Sequence, residues 1–264
     1  MSNSAGNEAQ EKARRKSLYL LYHELSAERR DYSYVLESSV FAQHLDLFTR
    51  LRDGTGLRPE LTFDDGHRSN YEIALPQLCA RGIQAHFFIT AGWTGTRSAY
   101  MGWNELRALR DAGQKIGAHG WSHALLTHCN AVELHTELHS ARSLLQDRLG
   151  TDVTTMSLPG GRFNRRVLAA CRDAGYTQVH TSVPRAEVFP LGATVGRLNI
   201  RRNMELGWIA KLFEPGSSVL RRLAVEDRFK AATKAILGDG LYSLLWELLN
   251  RRDDATDGFE DTPA

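Results

Sequence analysis

Two apolar runs end in side chains that are costly to bury and useful for chemistry. The first, Leu61-Thr62-Phe63, stops at Asp64-Asp65-Gly66. Adjacent carboxylates at the end of an apolar strand lose hydration energy unless they hold a cation or move a proton. Neighbouring side chains on a regular strand point to opposite faces. Asp64 and Asp65 therefore share one site only if the strand ends there, and Gly66 permits that turn. A plain Asp-Asp-Gly turn is the competing reading. The second run, Lys115-Ile116-Gly117-Ala118, leads into His119-Gly120-Trp121-Ser122-His123. Histidines four apart can converge on one metal, because neutral imidazole is a common ligand. Gly117 and Gly120 argue for a strand end and tight loop rather than a helix. With 10 histidines in the chain the spacing also recurs by chance. His135 and His139 lie in a helical run among Glu133, Glu137 and Arg142 and read as a solvated face. One Asp with two His supplies three protein ligands and leaves a position open, as catalytic rather than structural zinc sites do.

The elements that would carry these residues alternate. Short apolar runs at 17–23, 60–63, 84–90, 115–118, 154–158 and 177–181 read as strands. Helical spacing covers 35–51 (Val40, Phe41, Leu45, Phe48, Leu51), 71–79, 103–112, 131–149 and 165–174. Four of these helices close on glycine, at Gly82, Gly113, Gly150 and Gly175. Strand and helix in alternation predict parallel strands.

Together the two segments resemble the NodB-homology polysaccharide deacetylases, carbohydrate esterase family four. The resemblance starts at Leu20 to His23 and passes through Thr62 to Gly66, Ala85 to Ile89 and His119 to His123. It continues through Ser157-Leu158-Pro159-Gly160-Gly161 and fades near Arg202. It implies an α/β fold, a distorted (β/α) barrel with its site at the strand C-terminal ends. It further implies that Asp65, His119 and His123 bind a divalent metal, usually zinc, and that Asp64 is the general base. The loop Pro159, Gly160, Gly161 and Arg162 is then expected to contact an acetylated glycan or glycan precursor. The implied reaction is hydrolysis of the acetyl amide of an N-acetylated sugar. Hydrolysis of another non-peptide C–N amide, or a metal-binding glycan-binding pseudoenzyme, is the alternative.

Two positions depart from the family. Many members carry an Arg two residues before the loop proline to orient the base; here Ser157 stands there, and Arg162, Arg197 and Arg201 are the substitutes within reach. The late Leu-x-His that normally supplies the general acid reads Arg197-Leu198-Asn199-Ile200-Arg201. Beyond His139 the only histidine is His180, which joins Asp64 in the expected catalytic pair, with His23 or a guanidinium-bound water as the other donors.

Composition sets the frame. The 264 residues are 42% hydrophobic with a formal charge of +2, ordinary globular usage that offers no electrostatic case for nucleic acid. Cys79, Cys129 and Cys171 are odd in number and form no CxxC pair, which excludes a zinc ribbon or thioredoxin-like motif. No apolar run is long enough for a signal h-region or a transmembrane segment, so the expectation is a cytoplasmic protein. Residues 1–16 read as a disordered arm, 17–202 as the deacetylase domain, 203–250 as a helical appendage and 251–264 as a disordered acidic tail. Trp208, Leu212 and Leu245, with basic residues between, read as a helical appendage with a solvated charged face over residues 203–250, a protein or membrane-surface contact being the alternative.

Overall fold

The computed structural model describes residues 16–52 and 56–226. Residues 1–15 of the expected arm, the acidic tail and the appendage beyond residue 226 lie outside the described residues, while Lys16, expected in the arm, opens the first strand.

The strands are β1 (Lys16–Tyr22), β2 (Glu24–Ser26), β3 (Val35–Glu37), β4 (Arg58–Phe63), β5 (Ala85–Ile89), β6 (Lys115–Ala118), β7 (Thr155–Ser157), β8 (Gln178–His180), β9 (Glu187–Val188), β10 (Thr194–Val195) and β11 (Arg197–Asn199). The main sheet runs β10-β8-β7-β6-β5-β4-β1-β11, and every pair along that path is parallel. Only Gly196 separates β10, paired to β8, from β11, paired to β1. The segment 194–199 thus joins both edges and curls the sheet into a barrel. A Cβ on Gly196 would fall 2.4 Å from the Val183 carbonyl oxygen, so the closure needs a glycine. β9 adds antiparallel to β1, and β2 and β3 form a separate parallel pair.

Helices α1 (Ser38–Arg52), α2 (Leu75–Ala80), α3 (Trp103–Asp111), α4 (Ala131–His135), α5 (Ala141–Leu149), α6 (Arg165–Asp173) and α7 (Leu206–Leu212) complete the order. In α1 the spacing of Phe41, Leu45 and Phe48 puts all three on one buried stripe. Phe41 meets Phe63 of β4 edge-on at 5.8 Å, and Phe63 stacks on Phe87 of β5 at 4.7 Å. Each such ring contributes roughly 1.5–3 kcal/mol by burial.

Some expectations change. The helix predicted from residue 35 starts at Ser38, because Val35–Glu37 pairs with β2. The predicted helix 131–149 is α4 and α5 joined by a π turn at Thr136–Ser140. Another π turn, Asn70–Ala74, precedes α2. At the start of the expected appendage, Ile209, Leu212 and Phe213 are buried, with Phe213 against Phe48 at 5.8 Å. The apolar face of α7 therefore turns to the core of the barrel domain. Among the described residues no helix is long and apolar enough to cross a membrane.

Candidate active site

Asp64 and Asp65 follow β4, His119 follows β6, and Ser157 ends β7, so all four stand at the C-terminal mouth of the barrel. The Asp64 N–H still donates to the Tyr22 carbonyl at 3.0 Å, continuing the strand. Asp65 then turns to φ 71°, which separates the two carboxylates from strict alternation. His123 adopts φ 66°, and these are the only non-glycine positions with positive φ among the described residues. Each costs about 1–2 kcal/mol. Strain confined to two residues of one cluster marks that cluster as functional.

The cluster is compact. Asp65 Oδ1 lies 3.2 Å from His119 Nε2 and 3.4 Å from His123 Nε2, and the three ligand atoms fall within 4.8 Å of one another. The His119 Nδ1–H donates to the Ser157 carbonyl at 2.9 Å, which leaves the Nε2 lone pair facing Asp65. Asp65 Oδ1 is buried and accepts no hydrogen bond. Two imidazole nitrogens and an orphaned carboxylate oxygen fit a divalent cation such as zinc. Burial would raise the Asp65 pKa, but the neighbouring His119 outweighs it and holds the carboxyl below its usual range. Burial, and then His119, push His123 down.

Asp64 is gripped from β11, two strands away across β1. Arg197 of β11, fully buried, donates from Nη1 to Oδ1 at 2.7 Å and from Nη2 to Oδ2 at 2.9 Å. Its Nη2 also donates to Ser157 Oγ at 2.6 Å, whose hydroxyl donates to Asp64 Oδ2 at 2.8 Å. Nε donates to the Thr181 carbonyl and Nη1 to Thr62 Oγ1. Burial alone would raise the Asp64 pKa; the Arg197 guanidinium outweighs it and holds the carboxyl well below the usual carboxylate range. Of the three arginines left open by the sequence, the structure selects Arg197. Arg201 instead lies over the Tyr34 ring at 5.7 Å. Ser157, standing where the family often has Arg, becomes the bridge between the guanidinium and Asp64.

Glu137, which the sequence does not single out, is 5% exposed. From the π turn its carboxylate accepts the N–H groups of Trp121 at 2.8 Å and Ser122 at 3.1 Å, together with the Ser122 hydroxyl. A Cβ on Gly120 would sit 2.6 Å from Glu137 Oε2, so the glycine makes room for this clamp. Glu137 thereby fixes the loop between His119 and His123. His135 and His139, whose rings stack at 4.5 Å, take no part.

His180 corrects an expectation. Its ring packs inside the barrel against Phe88 at 4.7 Å and against Tyr19 and His86 at 5.5 Å. The cavity it lines is shared with Glu60, Gln84, Lys115 and Gln178, at the starts of β4, β5, β6 and β8. That is the opposite mouth. Burial pushes its pKa well down, and none of Asp65, His119 and His123 lines that cavity.

The cavity that includes Asp65 has a volume of about 560 Å³ and is lined by His23, Glu24, Arg30, Tyr32, Val35, His67 and Tyr100. His23 follows β1 and, like His67, lines that cavity; of the remaining donor candidates named from the sequence, His23 is the one found there. Pro159, Gly160, Gly161 and Arg162 do not line it. Pro159 is buried, and a Cβ on Gly160 or Gly161 would come within 2.6 Å of Leu125 Cδ2 or 2.8 Å of Ser182 Oγ. The glycines here serve close packing of the turn after β7.

Residues 58–179 match the family model described as polysaccharide deacetylase. YxkH of Bacillus subtilis, which bears the polysaccharide deacetylase name provisionally, is 27% identical over 126 residues, 48% of this chain and 45% of that protein. A chitin deacetylase of Pestalotiopsis is 28% identical over 123 residues, 47% of this chain and 41% of that protein. The chain thus spans less than half the length of these two relatives. The Streptococcus pyogenes deacetylase PplD, solved with acetate, superposes with a TM-score of 0.67 at 20% identity, over 76% of this chain and all of that one. IcaB of Ammonifex degensii superposes with a TM-score of 0.64 at 23% identity, over 74% of this chain and 96% of that one. Both share the fold.

Proposed function

We propose that this chain, whose residues 58–179 match the polysaccharide deacetylase family model, is a metal-dependent hydrolase of the acetyl amide on an N-acetylated sugar of a glycan or glycan precursor. The observation that carries the reading is Asp65 Oδ1, orphaned between two imidazole Nε2 atoms, with a second, Arg-held carboxylate next to it in sequence. Asp65, His119 and His123 would hold the ion, which supplies Lewis acidity toward the acetyl carbonyl and an acidified water.

The chain's own groups do the rest. Asp64 Oδ2, 3.9 Å from His119 Nε2, accepts the proton of the attacking water. Arg197 keeps Asp64 ionised and aimed. His23 gives a proton to the departing amine from the same cavity. Burial lowers its pKa, and the nearby Asp65 and Asp64 offset that shift only in part. Backbone geometry at Asp65 and His123 holds the ligands in place before any substrate arrives.

The test is acetate release by zinc-loaded protein from a panel of N-acetylated glycans. Asp64→Asn is expected to abolish release while retaining metal, and His23→Ala to slow it by about 10²–10⁴, the usual worth of general acid–base catalysis. Metal bound without acetate release from any glycan would favour a binding protein instead.

A further inference from the structure

The excursion between β1 and β3, residues 24–34, forms one wall of the cavity that holds Asp65. It is pinned at several points. The Leu25 N–H donates to Ser69 Oγ at 2.9 Å, and the Arg202 N–H donates to the Ser33 carbonyl at 2.9 Å. Arg202 Nη1 donates to the Arg30 carbonyl at 2.8 Å and pairs with Asp31 at 3.3 Å. Tyr32 and Tyr34 meet edge-on at 5.5 Å, and Tyr34 packs on His23 at 5.0 Å. The wall is therefore built from the end of β11 and does not hang free.

Its polar groups are unequally served. Asp31, which could have neutralised its neighbour, pairs with Arg202. Glu24 faces His67 Nε2 at 3.8 Å. Asp65 belongs to the metal-type cluster. Arg30 lines the cavity and has no carboxylate partner among the described residues. Beside it Tyr32 is 54% exposed and offers a ring face. A neutral glycan seated here would strip water from an unpaired guanidinium without replacing its bonds. An anionic oxygen group would accept two parallel N–H bonds from it.

We propose that Arg30 reads an anionic substituent, a phosphoryl or carboxylate group, on the acetamido sugar, so that the site selects charged over neutral substrates. This rests on the deacetylase reading above. Tyr32 supplies a stacking surface for the sugar between the guanidinium and the reacting acetamide.

The test compares kcat/KM for acetate release by the zinc-loaded full chain on three sugars. These are N-acetylglucosamine 1-phosphate, an N-acetylhexosaminuronic acid, and neutral methyl N-acetylglucosaminide. Wild type is expected to favour one anionic sugar over the neutral one by about tenfold or more, the worth of one charge-assisted hydrogen bond at 1.4 kcal/mol per decade. The favoured arm distinguishes phosphoryl from carboxylate. Arg30→Gln should collapse that ratio, and Arg30→Lys should restore part of it. A ratio unchanged in Arg30→Gln, or equal losses on all three sugars, overturns the inference and leaves the deacetylase reading intact. Absence of acetate from every sugar defeats the deacetylase reading. Calorimetric binding of the same sugars then decides the role of Arg30: weaker anionic binding in Arg30→Gln supports it, and equal binding refutes it.

Discussion

Replacing Arg197 by leucine tests how the base is held. The substitution removes both guanidinium bonds to Asp64, the bond to Ser157 Oγ and the donor to the Thr181 carbonyl. Asp64 is left ionised, 3% exposed and supported only by the Ser157 hydroxyl. Breaking a fully buried pair from one side costs about 3–5 kcal/mol, because the surviving charge is uncompensated. At roughly 2–4 °C per kcal/mol for a domain of this size, the melting temperature should fall by about 6–20 °C. The informative variant is the double one, Arg197→Leu with Asp64→Asn, which removes the stranded charge. Urea denaturation of the four proteins should give a coupling energy of about 0.5–3 kcal/mol, the double variant being more stable than the sum of the singles predicts. Acetate release measured alongside should fall about a hundredfold or more in Arg197→Leu at unchanged metal content, the scale of a misplaced catalytic group. A loss below about 1 kcal/mol, as for an exposed pair, or strict additivity in the cycle, would refute the claim that Arg197 and Asp64 form one buried unit.

Other consequences can be checked separately. Glu137→Gln keeps the shape of the clamp and weakens its acceptors to Trp121 and Ser122. It should cost about 1–3 kcal/mol and weaken zinc binding in a competition titration; unchanged affinity would show that the loop holds itself. His44 is buried and neutral, bonded to the Tyr22 hydroxyl at 3.0 Å, and burial lowers its pKa to about 4. Its folded pKa lies below the unfolded value near 6.5, so its contribution is whole above about pH 6.5 and is lost as pH falls toward 4. The loss is on the order of 3 kcal/mol, and His44→Gln should flatten the denaturation profile across that window. A profile as steep as wild type would assign the acid sensitivity elsewhere.

Much of the barrel was legible because β4 through β8 are bounded by glycine-closed helices and carry continuous apolar runs. The closing segment was not. β9, β10 and β11 are two or three residues long, too short for any period to register, and their pairing is fixed by the partners they meet. The helical period at 35–51 hid β3, whose pairing to β2 is a tertiary effect. At the site, Asp64, Asp65, His119 and His123 could be found because their types and spacing are unusual at strand ends. Arg197 is 133 residues from its partner, and arginines at 162 and 201 had equal claim in one dimension. Glu137 looked like one more helical charge, since nothing local shows that a π turn aims it inward. His180 was chosen by elimination, and the parallel strands put its ring on the barrel's inner surface facing the opposite mouth.

The most direct measurement is metal content set against acetate release for wild type, His119→Ala and Asp65→Asn. About one divalent ion is expected per wild-type chain, held by Asp65, His119 and His123. Acetate release should be lost on chelation and restored by zinc, and both metal and activity should be lost in the two ligand variants. Full acetate release from chelated wild type, or an undiminished ion in His119→Ala, would contradict the metal-dependent reading.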